Sequence, residues 1–198
     1  MTETTKPVRS FVAVPLPESV RANVAAAAGQ MARALPGVRW SRKVENLHVT
    51  IKFLGPVEEA RLAAFGDALA ESLAGLPRFE IEVRGMGAFP SPRKANVLWA
   101  GVAEDAGRSR LGAVAAVVEE TAARLGIGER EHRPFRGHVT VGRSKLAVDA
   151  RTALAPFDGR AFGVAPVGEA LILESQLGGD GSTYVLRHTA ALGSKIQN

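Results

Sequence analysis

Two stretches of this chain share one tripeptide: NLHVTIKFLG at residues 46–55 and GHVTVGR at residues 137–143. Each contains His-Val-Thr, whereas the other two histidines, His132 and His188, have no threonine two positions later. Residues two apart in a β-strand project from the same face. We therefore predict two strands that each display a histidine beside a threonine, with the intervening valine in the core.

Strict alternation along the first of these strands also predicts which side chains are buried. One face, expected in the core, would carry Leu47, Val49, Ile51 and Phe53, and the other would carry His48, Thr50, Lys52 and Leu54. Phe53 is thus expected to be a core residue, with stacking on a base as the alternative. Lys52 is expected at the surface, with a contact to phosphate as the alternative.

Arg143 follows its motif histidine by five positions, as Phe53 does in the first stretch. Alternation would point Arg143 to the face opposite His138. A bulge or strand end at Gly142 would turn Arg143 back toward that histidine, so its orientation is left open at this stage.

Composition is that of an ordinary globular protein. The chain has 198 residues, 46% of them hydrophobic, enough for one large domain or two small lobes. It has no run of 18 apolar residues and a polar N-terminus, so we expect no membrane span, no secretion signal and a cytoplasmic location. Zero cysteines exclude disulfides, thiolate metal sites and cysteine nucleophiles. A net charge of +5 favours an anionic partner such as a phosphate ester or RNA, although solubility alone explains it equally well.

The remaining elements follow from apolar periodicity and from glycine and proline breaks. Strands are predicted at 8–15, 47–54, 79–83, 86–89, 96–102, from 138 onward, 168–177 and 182–189, and helices at 18–35, 57–74, 106–125 and 148–155. Residues 90–94 and 126–134 are predicted to be surface connections, and residues 178–181 a hairpin turn.

The two motifs together suit phosphodiester chemistry. In-line displacement needs a base for the attacking oxygen and an acid for the leaving oxygen, on opposite sides of phosphorus. Two imidazoles meet this need near neutral pH, because their ordinary pKa is about 6.5. Threonine hydroxyls can donate to the non-bridging oxygens. A single such histidine is more often a buried side chain with a local hydrogen bond, but the duplication favours a paired catalytic role. No HExxH, HxH or carboxylate cluster predicts a metal site.

Three segments carry a resemblance to a known family: WSRKVENLHVTIKFLG (40–55), PFRGHVTVGR (134–143) and GEALILESQLGGDGSTYVL (168–186). They resemble the two-histidine (2H) phosphoesterase superfamily and, within it, the bacterial and archaeal RNA 2',3'-cyclic phosphodiesterases, formerly called 2'-5' RNA ligases. The resemblance implies an α+β fold of two pseudo-twofold-related lobes, each an antiparallel sheet with flanking helices. The active-site cleft would lie between the lobes, and no metal or other cofactor would be needed.

The resemblance also implies roles for the motif residues. His48 would be the proton donor to the leaving ribose oxygen, and His138 the proton acceptor that activates water. The phosphoryl oxygens would be bound by Thr50 and Thr140, assisted by Arg143. The implied substrate is RNA with a 2',3'-cyclic phosphate end, or a nucleoside 2',3'-cyclic phosphate, opened to the 2'-phosphate, with 2'-5' ligation as a reverse side activity. Family members commonly have proline before the second histidine, where this chain has Gly137, which loosens the entry to the strand.

Two alternatives remain. One is a catalytically idle RNA-binding module in which Arg93-Lys94 and residues 130–136 hold phosphates. The other is a 2H phosphodiesterase for 2'-5' oligonucleotides or for another cyclic phosphate. We expect a disordered polar tail at 1–7, a single bilobal domain at 8–190 and a C-terminal tail at 191–198. The sequence does not determine the oligomeric state, and a monomer is the expectation.

Overall fold

A computed structural model describes residues 6–178 and 181–196, and side chains through residue 193. Within those ranges the strands are Val8–Pro15 (β1), Arg39–Trp40 (β2), His48–Val57 (β3), Pro77–Ser91 (β4), Lys94–Val102 (β5), His138–Val148 (β6), Ala161–Val167 (β7), Glu169–Gly178 (β8), Gly181–Ala191 (β9) and Gly193–Ile196 (β10). The α-helices are Glu18–Ala32 (α1), Glu59–Leu73 (α2), Ala106–Arg124 (α3) and Arg151–Leu154 (α4), and short 3₁₀ turns occur at Val44–Asn46 and Ala155–Phe157.

The strands form one hydrogen-bonded network with two lobes. Their order is β10-β4-β5-β6-β3-β1-β8-β9, with β2 beside β6 and β7 beside β4. Only the pairing of β10 with β4 is parallel among the described strands. One lobe consists of β3, β1, β8 and β9, and the other of β6, β5, β4 and β7. The predicted α+β class with two antiparallel lobes is confirmed, and the lobes meet where β3 pairs with β6.

The two lobes do not correspond to the two halves of the chain. The hairpin formed by β8 and β9 returns to pair with β1, so the first lobe combines strands from the beginning of the chain and from residues 169–191. The second lobe is built from the middle of the sequence and is joined by β10, which pairs with β4. The two motif strands, β3 and β6, therefore become neighbours only when the long-range pairing of the sheet is complete.

Helices cover the lobes and share one hydrophobic core. Helix α1 packs against β7, α2 packs against β9, and α3 lies against α2, β3 and β4. The predicted apolar stripe of α2 is confirmed, because its members are all buried: Leu62, Phe65, Leu69 and Leu73. Helix α3 begins after Asp105, whose carboxylate accepts a hydrogen bond from the backbone N–H of Arg108 and so caps the helix.

The predicted faces of β3 are correct up to Ile51 and wrong beyond it. Phe53 is 61% exposed, whereas Lys52 and Leu54 are buried. In the pairing with β1, Val12 lies opposite Lys52 and Ala13 opposite Thr50, so that Ile51 is the extra residue of a β-bulge. A bulge puts two successive side chains on one side, which turns Lys52 inward and Phe53 outward.

Several boundaries also differ from the predictions. The two strands predicted at 79–83 and 86–89 are one strand, β4, and residues 90–94 form a tight hairpin between β4 and β5 instead of a loop. Strand β7 was not predicted. Residues 193–196, which fall in the predicted C-terminal tail, form β10.

Three predictions fall partly outside the described residues. These are the polar tail, of which residues 1–5 are not described, the C-terminal tail, of which residues 197–198 are not described, and the turn at 178–181, of which only Gly178 and Gly181 are described and pair with each other. No helix in the described ranges is both long enough and apolar enough to cross a membrane.

Candidate active site

The four motif side chains meet where the two lobes join. Val49 of β3 pairs with Val139 of β6, and both valines are fully buried. Because the strands are antiparallel, the residue before Val49 lies across from the residue after Val139. His48 therefore lies toward Thr140, and Thr50 toward His138, all on the face opposite the two valines. The structure thus brings together the residues that the sequence singled out from separate stretches.

His48 is oriented by hydrogen bonds at both ring nitrogens. Its Nδ1 lies 2.7 Å from the backbone oxygen of Asn46. A carbonyl oxygen only accepts, so Nδ1 carries the proton and donates. Nε2 lies 3.0 Å from Oγ1 of Thr50. It accepts from that hydroxyl when the ring is neutral and donates to it when the ring is protonated.

His138 is held in the same way by the backbone two residues before it. Its Nδ1 lies 2.7 Å from the oxygen of Arg136 and donates to it. Within the described part of the chain, Nε2 of His138 has no hydrogen-bonding partner. Its lone pair is therefore available to accept a proton from a ligand, whereas Nε2 of His48 is engaged by Thr50.

Aromatic rings surround both imidazoles, two per histidine. Phe11 stacks on His48 with ring centroids 5.0 Å apart, and Tyr184 meets it edge-on at 5.4 Å. Phe89 and Trp99 lie 5.1 Å and 6.3 Å from the ring of His138. These four rings were not predicted as site residues.

Burial among these rings lowers the pKa of each histidine. For His48 the removal of water is the main cause, opposed by the hydrogen bond to Asn46, and the charge of His138 lowers the pKa further. For His138 burial is again the main cause, opposed by the hydrogen bond to Arg136, and the charge of Arg143 lowers the pKa further. Both groups favour the neutral ring in the free protein, and the two imidazoles lie within electrostatic reach of each other.

Arg143 lies on the histidine face because β6 contains a bulge. In the pairing with β5, Leu98 lies opposite Gly142 and Trp99 opposite Thr140, which leaves Val141 as the extra residue. Val141 and Gly142 are both buried, and Arg143 is exposed. The charge of Arg143 acts on both His138 and Tyr184. The bulge considered from the sequence is therefore present, and it directs the guanidinium to the cleft.

Gly142 is closely packed where β2 pairs with the bulge. A Cβ atom at this position would lie 2.7 Å from Cγ1 of Val38 and 3.1 Å from Cε3 of Trp40. Gly137, which stands where the resemblance implies a proline, is also tightly packed. A Cβ atom there would lie 2.7 Å from Cδ2 of Leu111 on α3. The packing of residue 137 against α3 therefore leaves little room for a side chain at the start of β6.

The sequence contains a signal that could have identified Trp99 as a residue of the site. Its indole ring lies against Gly87, where a Cβ atom would overlap the ring, and beside Gly101, where a Cβ atom would lie 3.2 Å from Cζ3. A glycine within a strand often marks a close approach by another group. The positions of Phe11, Phe89 and Tyr184 beside the histidines had no comparable signal.

Lys52 does not reach the candidate site. Its Nζ donates to Oε2 of Glu119 on α3 and to the backbone oxygen of Glu129, both at 2.7 Å. Oε1 of Glu119 accepts from the backbone N–H of Glu131. The lysine thus anchors the connection between α3 and β6. Among the described residues, no group of three or more histidine, aspartate or glutamate side chains is arranged to hold a metal ion.

One of the two basic segments of the RNA-binding alternative, residues 130–136, contacts the motif residues through the backbone oxygen of Arg136, which accepts from Nδ1 of His138. Arg93 and Lys94 lie in the hairpin between β4 and β5. Arg133 is exposed and forms an ion pair with Glu131, which lowers the pKa of that carboxyl group to about 2.

Comparisons with known proteins show which family this chain resembles. The family model described as LigT like Phosphoesterase matches residues 14–99. The chain is 39% identical over 140 residues to the RNA 2',3'-cyclic phosphodiesterase of Archaeoglobus fulgidus, covering 70% of this chain and 73% of the relative. It is 36% identical over 138 residues to the protein of the same name from Methanothermobacter thermautotrophicus, covering 70% and 72%.

The same likeness is seen among solved structures. The crystal structure of E. coli LigT complexed with 3'-AMP aligns with a TM-score of 0.75 and 26% identity, over 95% of this chain and 99% of that one. The coverage of both chains and the extent of the sequence identity agree between these comparisons. This chain therefore belongs to the family of LigT-like phosphoesterases.

Proposed function

We propose that this protein opens 2',3'-cyclic phosphates at the ends of RNA, or on nucleosides, and leaves a 2'-phosphate. The observation that carries the proposal is the pair of imidazoles on one face, each held at Nδ1 by the backbone oxygen two residues earlier. The names of the relatives, RNA 2',3'-cyclic phosphodiesterases, support the same substrate. E. coli LigT, complexed with 3'-AMP, supports a nucleotide as the ligand.

In the proposed reaction, water attacks phosphorus from the side of His138. Neutral Nε2 of His138 accepts a proton from the water as its oxygen bonds to phosphorus. The bond between phosphorus and the 3' oxygen of ribose breaks, and Nε2–H of His48 donates its proton to that oxygen. One water is consumed, and the phosphate stays on the 2' oxygen.

Negative charge grows on the non-bridging oxygens during this displacement. The hydroxyls of Thr50 and Thr140 flank the position between the two imidazoles and can donate to these oxygens. Arg143 adds a positive charge on the same face. Donors aimed at developing charge stabilise a transition state more than a ground state.

The same two groups can also serve a second nucleophile, in the reverse of the cleavage of a 2'-5' linkage. If a ribose 5' hydroxyl attacks in place of water, His138 accepts its proton and a 2'-5' linkage forms. Water is far more abundant than RNA ends, so hydrolysis is the main reaction and 2'-5' ligation the side activity.

The test uses adenosine 2',3'-cyclic phosphate in the presence of EDTA, with products separated from 2'- and 3'-AMP standards. We expect 2'-AMP, and we expect His48→Ala and His138→Ala each to lower the rate by about 100-fold or more, as loss of a general acid or base should. His132→Ala, which removes an exposed histidine of the 126–134 connection, is the matched control and should retain full activity. Full activity in both motif variants would contradict the proposed roles. Salt-sensitive RNA binding without turnover would favour the idle binding module.

A further inference from the structure

The connection between α3 and β6 is attached to the strand of one motif histidine and leads to the other. Nζ of Lys52, four residues after His48 on β3, donates to the backbone oxygen of Glu129. The same ammonium donates to Oε2 of Glu119 on α3, whose Oε1 accepts from the backbone N–H of Glu131. A buried charge on the strand of His48 therefore holds the backbone of residues 129–131 at two points.

The backbone of the connection also contacts β3 directly. Gly128 has a φ of +71°, and a Cβ atom there would lie 3.2 Å from Cα and O of Leu54 and 3.3 Å from O of Phe53. Glycine permits both the left-handed conformation and the close approach. The lysine contact thus lies next to a tight backbone contact, just beyond the bulge of β3.

Short links join this anchored part to the acceptor of His138. The carboxylate of Glu131 accepts from the backbone N–H of Arg133 at 3.1 Å. Pro134 follows, and its ring fixes the backbone φ angle. The oxygen of Arg136 then accepts from Nδ1 of His138 at 2.7 Å. The position of that oxygen therefore depends on a connection that is held from β3.

The hydrogen bond to Arg136 determines which nitrogen of His138 can react. A neutral imidazole carries one proton, on either nitrogen. With the proton on Nδ1, the lone pair is on Nε2 and can accept a proton from water. With the proton on Nε2, that nitrogen cannot act as the proposed base.

We infer that Lys52 is a positioning residue for the proposed general base. Its ammonium, together with Glu119, holds the connection in the conformation in which the oxygen of Arg136 keeps the proton on Nδ1 of His138. Lys52 acts through the backbone and does not touch the substrate. This inference rests on the proposed function and adds the group that maintains the reactive tautomer.

His48 provides an internal reference, because its own acceptor is held by other contacts. Nδ1 of His48 donates to the backbone oxygen of Asn46. Nδ2 of Asn46 donates to the backbone oxygen of Ser182 on β9 at 2.8 Å. Loss of the lysine ammonium should therefore affect the tautomer of His138 and not that of His48.

The first experiment measures the imidazole ¹⁵N chemical shifts at about pH 8.5, where both motif rings are neutral because burial lowers their pKa. The natural protein should show the proton on Nδ1 of both rings. In Lys52→Met, His138 should become a mixture that includes the Nε2–H form, and His48 should be unchanged. The signals are assigned by their loss in His48→Ala and His138→Ala.

The second experiment measures kinetics with adenosine 2',3'-cyclic phosphate, at a temperature well below the melting temperature of each variant. Lys52→Met should lower kcat by about tenfold or more, since the base is misplaced. KM should change by less than about twofold, because the groups proposed to bind phosphate remain. Glu119→Ala, which frees the N–H of Glu131, should have the same effect on kcat and on the His138 signals.

Arg187→Met is the matched control, because it also removes the cation of a partly buried ion pair. Its partner, Glu174, is 9% exposed, and the pair joins β9 to β8 away from the connection. The melting temperature should fall, whereas kcat should stay within about twofold of the natural value and the His138 signals should not change. An equal fall of kcat in Arg187→Met and Lys52→Met would overturn the inference by assigning the loss to general destabilisation.

The remaining outcomes separate the inference from the proposed function. If the natural protein opens no cyclic phosphate, the proposed function fails. If the natural protein is active and Lys52→Met leaves the His138 signals unchanged, the inference fails whatever the value of kcat, and the proposed function stands. The inference also fails if the His48 signals change as much as those of His138.

Discussion

Phe53 and Arg143 occupy corresponding positions in the two lobes. Each follows its motif histidine by five residues, and each is turned to the histidine face by a β-bulge that makes the two preceding residues point inward. The backbone of the site is thus repeated, but one lobe presents an aromatic ring and the other a guanidinium. This difference makes the proposed phosphate site asymmetric, with the permanent cation on the strand of His138.

Arg143→Ala should lower kcat/KM for a 2',3'-cyclic nucleotide by about 100-fold, because a donor and a positive charge next to the phosphoryl oxygens are lost. Arg143→Lys should recover part of the loss, since lysine keeps the charge but lacks the planar fork of arginine. Steady-state kinetics measure both. Arg124→Ala, which removes an exposed arginine in the last turn of α3, controls for net charge and should have no effect. Equal rates for Arg143→Ala and the natural protein would remove Arg143 from the site.

The pH dependence of the reaction should reflect the lowered pKa values of the two histidines. His138 must be neutral to accept a proton, and His48 must be protonated to donate one. Burial lowers the pKa of both, so the bell-shaped profile of kcat/KM, which reports the free protein, should have its maximum below about pH 6.5.

The pH profile of kcat should differ from that of kcat/KM in its alkaline limb. A bound phosphate anion stabilises protonated His48 and raises its pKa, so the alkaline limb of kcat should lie at higher pH than that of kcat/KM. Rates measured from pH 4 to 9 at constant ionic strength test both expectations. An alkaline limb of the kcat/KM profile well above pH 7 would show that burial does not set the pKa of His48.

The buried ion pair between Lys52 and Glu119 should be unequally sensitive to the loss of its two members. The lysine side chain is 6% exposed and the glutamate 26%. Glu119→Ala leaves the more deeply buried ammonium without its counter-charge and should lower the free energy of unfolding by about 3 kcal/mol. Lys52→Met leaves a carboxylate that water can reach and should cost about 1 kcal/mol.

Urea unfolding at pH 7 measures these losses. Glu120→Ala, an exposed neighbour on α3, is the control and should change stability by less than about 0.5 kcal/mol. If Lys52→Met lowered the free energy of unfolding more than Glu119→Ala, an unpaired buried ammonium would not be the main source of the loss.

Gly142→Ala should lower both stability and activity. The added methyl group would press on Val38 and Trp40, which should cost about 1–3 kcal/mol and disturb the bulge that directs Arg143. Gly29→Ala, in α1 with no atom near the added methyl group, should instead stabilise the protein by about 0.5–1 kcal/mol. Thermal unfolding and kcat/KM of the two variants make the comparison. Unchanged activity in Gly142→Ala would show that the bulge tolerates a side chain.

The sequence by itself determined the local parts of this protein. The alternation of His48, Val49 and Thr50, repeated at residues 138–140, correctly placed each histidine beside its threonine, because neighbouring side chains of one strand need no information from elsewhere. The apolar spacing of α2 likewise identified its buried face. The resemblance carried by the same motifs indicated the two-lobed α+β fold.

Only the tertiary structure decided the orientation of Phe53 and Arg143 and the four rings around the histidines. A bulge arises where the registers of two paired strands differ by one residue, so it is a property of β1 with β3, or of β5 with β6, and not of either strand alone. Tyr184 reaches His48 only because β8 and β9 return to the first lobe. The two histidines of the proposed acid and base were visible in the sequence, and their electrostatic surroundings arose from residues brought together by long-range strand pairing.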